Sequence, residues 1–145
     1  MAADTFFTDK CSTRERVKGE IISAENLIDL AENAVTAGGT VEFLKIPAHA
    51  IVTKVDHLMK TPEGAALTLN VGDGTTANLF NASVDLNAAA GTHGGSDPAT
   101  EATLFAAGGK YFSAGGTVVG TFTSAGSTAA FYVSADYKVL NIPRS

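Results

Sequence analysis

The sequence predicts an all-β fold, an antiparallel β-sandwich of jelly-roll type, and three observations carry the prediction. Short segments rich in Val, Ile, Thr, Phe and Tyr alternate apolar and polar residues at a period of two. They recur at short intervals with no long amphipathic helix between them, which sets aside the alternating βαβ pattern of a parallel sheet. Glycine supplies 15 of 145 residues, and its clusters fall between the β-like segments, where turns are needed.

The chain divides into an arm, residues 1–19, and one sandwich domain, residues 20–145. The arm is charged and weakly patterned, with Lys10, Arg14, Glu15, Arg16 and Lys18 behind the aromatic pair Phe6 and Phe7. Residues 21–37 fit two readings. Leu27, Leu30, Ala31 and Ala34 recur at helical spacing, so a short helix over 27–33, capped by Ser23 or Asn26, is open; Ile21, Ile22 and Ile28 suit a strand equally well. Beyond Gly38-Gly39, residues 40–46 form a strand that Pro47 ends, because proline cannot donate to a ladder.

Residues 51–59 form the next strand. Its two alternating sets are Ile51, Thr53, Val55, His57, Met59 and Val52, Lys54, Asp56, Leu58, neither cleanly apolar, as expected where a strand meets another subunit. Thr61-Pro62-Glu63-Gly64 reads as a turn. Leu67, Leu69 and Val71 then alternate with Thr68 and Asn70, a half-buried strand stopped by Gly72-Asp73-Gly74. Residues 79–86 make another short strand, and 87–103, rich in small and polar residues, a long excursion. Two last strands, 117–123 and 129–140, flank Ser124-Ala125-Gly126-Ser127, a turn suited to a hairpin. In the second of them Phe131, Val133, Ala135, Tyr137 and Val139 share one face.

Composition narrows the function. A chain of this length fills a single core. The formal charge is −5, and although seven of the ten Lys and Arg lie between Lys10 and Lys60, acidic residues are mixed among them. A phosphate backbone needs clustered cations, so no nucleic-acid partner is expected. Cys11 is the only cysteine, which excludes an internal disulfide and leaves no zinc-like spacing. Residues 1–10 lack the apolar run of a secretory signal and no later stretch is long enough to span a bilayer as a helix, so no membrane association is expected.

Catalytic patterns are missing as well. His49, His57 and His93 each stand outside any nucleophile–base motif, and neither a G-x-S-x-G elbow nor an H-E-x-x-H pair occurs. Gly72-Asp73-Gly74-Thr75-Thr76 offers one carboxylate where a calcium loop needs several, and reads as a strand-ending turn. The Gly pairs at 94–95, 108–109 and 115–116 lack the Lys-Ser/Thr of a phosphate cradle. Phe105, Tyr111, Phe112, Phe122, Phe131, Tyr132 and Tyr137 suit core or contact positions better than a stacking platform. No enzyme activity and no cofactor are expected.

The run Val41-Glu42-Phe43-Leu44-Lys45-Ile46-Pro47-Ala48-His49-Ala50-Ile51-Val52, followed by Leu67-Thr68-Leu69-Asn70-Val71-Gly72-Asp73-Gly74, resembles small structural proteins of tailed bacteriophages, specifically the capsid decoration, or cement, proteins. The likeness extends loosely to the last two strands and covers about two thirds of the chain. It implies a virion subunit made in the bacterial cytoplasm, a homotrimer that braces the shell by binding the major capsid protein and its own neighbours. It carries over no catalytic residue. The expected contact residues are Phe6, Phe7, Arg14, Arg16 and Lys18 in the arm, and His93 and Asp97 in the long excursion. A tail or fibre module that binds a host glycan is the alternative.

Overall fold

The computed structural model describes residues 21–97 and 101–140. They form nine strands and one short helix: β1 (Ile21–Asp29), β2 (Thr40–Ile46), β3 (Ala50–Thr61), β4 (Thr68–Gly72), β5 (Asn81–Asp85), β6 (His93–Gly95), α1 (Ala102–Ala106), β7 (Lys110–Phe112), β8 (Gly116–Phe122) and β9 (Ala130–Val139). One sheet runs β1-β9-β3-β6, with β7 also paired to β3; the other runs β2-β8-β4-β5. Every pairing is antiparallel. Strands adjacent in sequence mostly lie in opposite sheets, while β1 pairs β9 and β2 pairs β8, which is the winding of a jelly roll. The predicted all-β sandwich is the observed fold.

The core lies between the sheets. Phe43, Val52, Val55, Met59, Leu69, Val71, Val118, Phe122, Phe131, Val133 and Ala135 are all buried, each large side chain contributing roughly 1.5–3 kcal/mol by leaving water. Phe43 stands edge-on to Phe122 and to Phe131, at centroid distances of 6.4 and 5.8 Å. Room for its ring comes from Gly120 on the paired strand, where an added Cβ would lie 2.2 Å from the Phe43 ring and 2.8 Å from Leu69. A glycine inside a strand marks close approach of this kind.

One open reading is settled and two expectations are corrected. Residues 21–29 are strand, not helix: β1 matches β9 residue for residue from Ile21↔Lys138 to Asp29↔Ala130, and Ile28 and Leu30 enter the core while Leu27 stays exposed. Nine ladder positions outweigh an apolar spacing that favoured a helix only weakly. The last two strands are no hairpin, since β8 and β9 belong to different sheets. Residues 123–129 cross the end of the sandwich, pinned by a Val35↔Gly126 bridge and by the Glu63 carboxylate, which accepts the N–H groups of Ser127, Thr128 and Ala129. The excursion at 87–103 is in part regular, because it contains β6 and leads into α1.

The mixed pattern of β3 has a physical origin. Its register against β9 slips between Val52 and Lys54 and again between Met59 and Thr61. The extra residue, Thr53, switches the parity, so Ala50 and Val52 face inward before it and Val55 and Met59 after it. A bulge of this kind cannot be read from an alternating pattern alone.

Candidate interaction surface

The outer face of the five-stranded sheet is built by register. One row crosses it as Leu27, Tyr132, Leu58 and His93 on β1, β9, β3 and β6. Another, at the far end, runs Ile21, Lys138, Ile51 and Tyr111 on β1, β9, β3 and β7. Lys138 lies six positions beyond Tyr132 along β9, roughly 20 Å of strand. Ile21 is 58% exposed, Leu27 39%, Leu58 42% and Tyr111 43%. These are four of the six large hydrophobic side chains exposed among the described residues; Phe105 and Leu140 are the others.

Between the rows lies a charged band. Ser23, Asp136 and Lys54 stand across from one another, as do Glu25, Ser134 and Asp56. The Ser23 hydroxyl donates to Asp136 Oδ1 at 2.6 Å, and Lys54 Nζ lies 3.5 Å from Asp56 and 3.9 Å from Asp136. Exposed pairs of this kind contribute at most about 1 kcal/mol, so they can exchange partners at little cost. An exposed sheet face with apolar side chains at both ends and a charged middle suits a protein surface better than a small molecule.

Of the expected contact residues, His93 lies on this face, at the β6 end of the first row. Asp97 lies beyond β6, and its N–H donates to Glu101 Oε1 at 2.7 Å, which ties the loop to a carboxylate only 5% exposed. Phe6, Phe7, Arg14, Arg16 and Lys18 fall outside the described residues. The expected contact residues did not name Leu27, Ile51, Leu58, Tyr111 or Tyr132, although sequence reasoning assigned Tyr111 and Tyr132 to core or contact positions and read the mixed faces of residues 51–59 as a subunit contact. Tyr132 carried a signal, an aromatic among the outward residues Ser134, Asp136 and Lys138; Leu58 was hidden by the bulge.

Among the described residues the three histidines sit in separate surroundings. His57 packs inward over Gly94, where a Cβ would come within 3.0 Å of its ring, and its buried Nδ1 has no hydrogen-bond partner among the described residues. Burial pushes its pKa below 6.5, Asp56 opposes that shift, and His93 adds to it. The side chains of His57 and Asp56 point to opposite sides of the sheet. His49 instead meets the Tyr111 hydroxyl, 3.1 Å from Nδ1. Among the described residues no three His, Cys, Asp or Glu side chains cluster as metal ligands.

Asp73 is occupied by its own turn. Oδ1 accepts the N–H groups of Thr75 and Thr76 at 2.9 and 2.7 Å, and Oδ2 lies 3.3 Å from Lys110 Nζ. Burial raises its pKa, but the Thr76 and Thr75 amides and Lys110 outweigh burial and hold it below 3.8. The aromatics do not converge either. Phe112, Phe122 and Phe131 are buried, while Tyr111 and Tyr132 stand at opposite ends of the outer face. No helix among the described residues is long and apolar enough to cross a membrane.

No family model matches the sequence, and no curated protein matches it. Solved structures do match the fold. A chain of the acid-stable capsid of Helicobacter pylori bacteriophage KHP30 superposes with a TM-score of 0.60 at 16% identity, over 88% of this chain and 94% of that one. A chain of the cyanophage Pam1 capsid gives 0.58 at 16% identity, over 96% and 99%. A chain of the capsid of Ralstonia phage GP4 gives 0.64 at 17% identity, over 87% and 88%. Near-complete coverage in both directions makes the likeness one of whole domains, and this chain has the fold of chains found in bacteriophage capsids.

Proposed function

We propose that this protein is a virion structural subunit that decorates and stabilises a bacteriophage capsid. It is made in the host cytoplasm and binds the major capsid protein and neighbouring copies of itself as a trimer. It needs no cofactor, catalyses no reaction, and has neither nucleic acid nor membrane as a partner. The observation that carries this reading is the outer face of the five-stranded sheet, with its exposed apolar rows, on a fold shared with capsid chains. Residues 20–145 act as the body and residues 1–19 as an arm, with Phe6 and Phe7 as anchors and Arg14, Arg16 and Lys18 as cationic contacts. Each contact is small, and the symmetry of a shell multiplies it.

The test is co-sedimentation of purified protein with shells that lack it. Leu58→Asp combined with Tyr132→Ser places a charge and a polar group in the first apolar row without touching the core. Retention is expected to fall at least tenfold with the unfolding midpoint within a few degrees of wild type. Removal of residues 1–12 is expected to lower retention as well. Wild-type retention by the double variant would take the outer face out of the reading.

A further inference from the structure

Nine described residues have a positive φ, and seven of them are glycine. The other two are Ser83, at 56°, and His49, at 64°. In this left-handed region the Cβ of an L-residue crowds the carbonyl that follows, so glycine is the usual occupant. Ser83 has a local reason for its conformation. It lies where the β4–β5 register slips, and its N–H donates to Asn70 Oδ1 at 2.8 Å. His49 stands in the turn between β2 and β3, with its backbone fixed on both sides: its N–H donates to Phe112 C=O and its C=O accepts the Leu140 N–H, each at 2.8 Å. Neither bond uses the side chain, so glycine at this position would keep both.

The side chain has a different setting. It is exposed, between Ala48 and the buried Ala50, and its Nδ1 lies 3.1 Å from the Tyr111 hydroxyl. The two ring centroids are 6.5 Å apart with the planes tilted by 31°. Tyr111, itself exposed, ends the second row of the outer face, Ile21–Lys138–Ile51–Tyr111. The Tyr111 hydroxyl can donate to Nδ1, which puts the ring's proton on Nε2 and turns a donor away from Tyr111. A left-handed residue in an anchored turn, carrying an oriented and exposed ring, has the form of a preorganised contact.

We infer that His49 and Tyr111 anchor this end of the outer face, and that together with Lys138 they receive a carboxylate-bearing segment of the shell protein. The sign of the partner follows from the row, which holds Lys138 and no carboxylate. The nearest acidic side chain along β9, Asp136, is already engaged by Ser23 and Lys54. Ile21, Ile51 and the Tyr111 ring supply apolar surface that shields such a pair from water. The inference rests on the reading of the protein as a shell-binding subunit, and adds the residues and the charge through which it binds.

The test compares His49→Gly with wild type in thermal unfolding and in co-sedimentation with shells that lack the protein. Glycine suits the backbone, so the midpoint is expected at or above that of wild type, while retention falls at least about tenfold. Lys138→Glu is expected to lower retention as strongly, Lys138→Gln less, and Tyr111→Phe, which removes only the hydroxyl, by a smaller factor. A midpoint several degrees below wild type for His49→Gly overturns the inference, because the side chain would then be holding the fold; this arm needs no shell. Retention unchanged by His49→Gly, or undiminished by Lys138→Glu, overturns it while the shell-binding reading stands. If retention is unchanged but the light-scattering mass of His49→Gly shifts, the contact lies between copies of this chain. Failure of the wild-type protein itself to sediment with shells removes the shell-binding reading, and this inference with it.

Discussion

Glu63 secures the crossover from β8 to β9 through one carboxylate. Oε1 accepts from Thr128 at 3.0 Å and Ala129 at 2.8 Å, and Oε2 from Ser127 at 3.0 Å. Burial alone would raise its pKa, but the three amides stabilise the charged form and bring it below 4.5. A lowered folded-state pKa contributes stability above the unfolded value that is lost as the pH falls through the folded one. Glu63→Gln leaves one oxygen for three donors and is expected to cost about 1–2 kcal/mol at pH 7, measured by urea denaturation. The difference from wild type should shrink as the pH drops below 4.5 and the native carboxyl gains its proton. The sequence showed Glu63 only as a turn residue. Its partners lie 64 to 66 residues away, a distance over which local pattern carries no information.

At the scale of elements, legibility followed burial. The strand at 40–46 ends where predicted, because Gly38-Gly39 and Pro47 bracket it chemically. The strand with Leu67, Leu69 and Val71 inward was equally plain, since all three are buried and Thr68 and Asn70 are not. β1 was ambiguous because it is an edge, half-exposed, with Ile21 and Leu27 apolar on the outer side. β3 was legible as a strand but not as two faces, so its mixed pattern pointed to a subunit contact without showing which residues share the outer face. Packing inside elements allows a sharper test at Gly120. An alanine Cβ there would overlap the Phe43 ring, and overpacking costs typically about 1–3 kcal/mol. Gly120→Ala is expected to lower the thermal midpoint by several degrees while leaving the β-rich circular dichroism spectrum unchanged; a wild-type midpoint would mean that Phe43 can leave its place between Phe122 and Phe131 freely.

For the whole molecule, composition and turn spacing sufficed to indicate an antiparallel sandwich, but not how it is wound. The small-residue link at 124–127 fits a hairpin and a crossover alike, and only the pairing of β8 with β2 and β4, and of β9 with β1 and β3, separates them. The jelly-roll winding brings residues from β1, β3, β6, β7 and β9 onto one outer face, so the surface exists only at this scale. The other sheet presents a different exterior, where Thr40, Thr121 and Asn70 stand in one row and Thr68 meets Thr123 at 2.8 Å. That polar surface, which also carries the exposed Glu42–Lys45 pair, is expected to face solvent on an assembled particle. Electron cryomicroscopy of shells incubated with the purified protein tests the account most directly. Added density is expected at symmetry-related positions, in trimers, with the Leu27–Tyr132–Leu58–His93 row against a protein neighbour. Shells that remain bare, or density docked through the threonine-rich face, would contradict it.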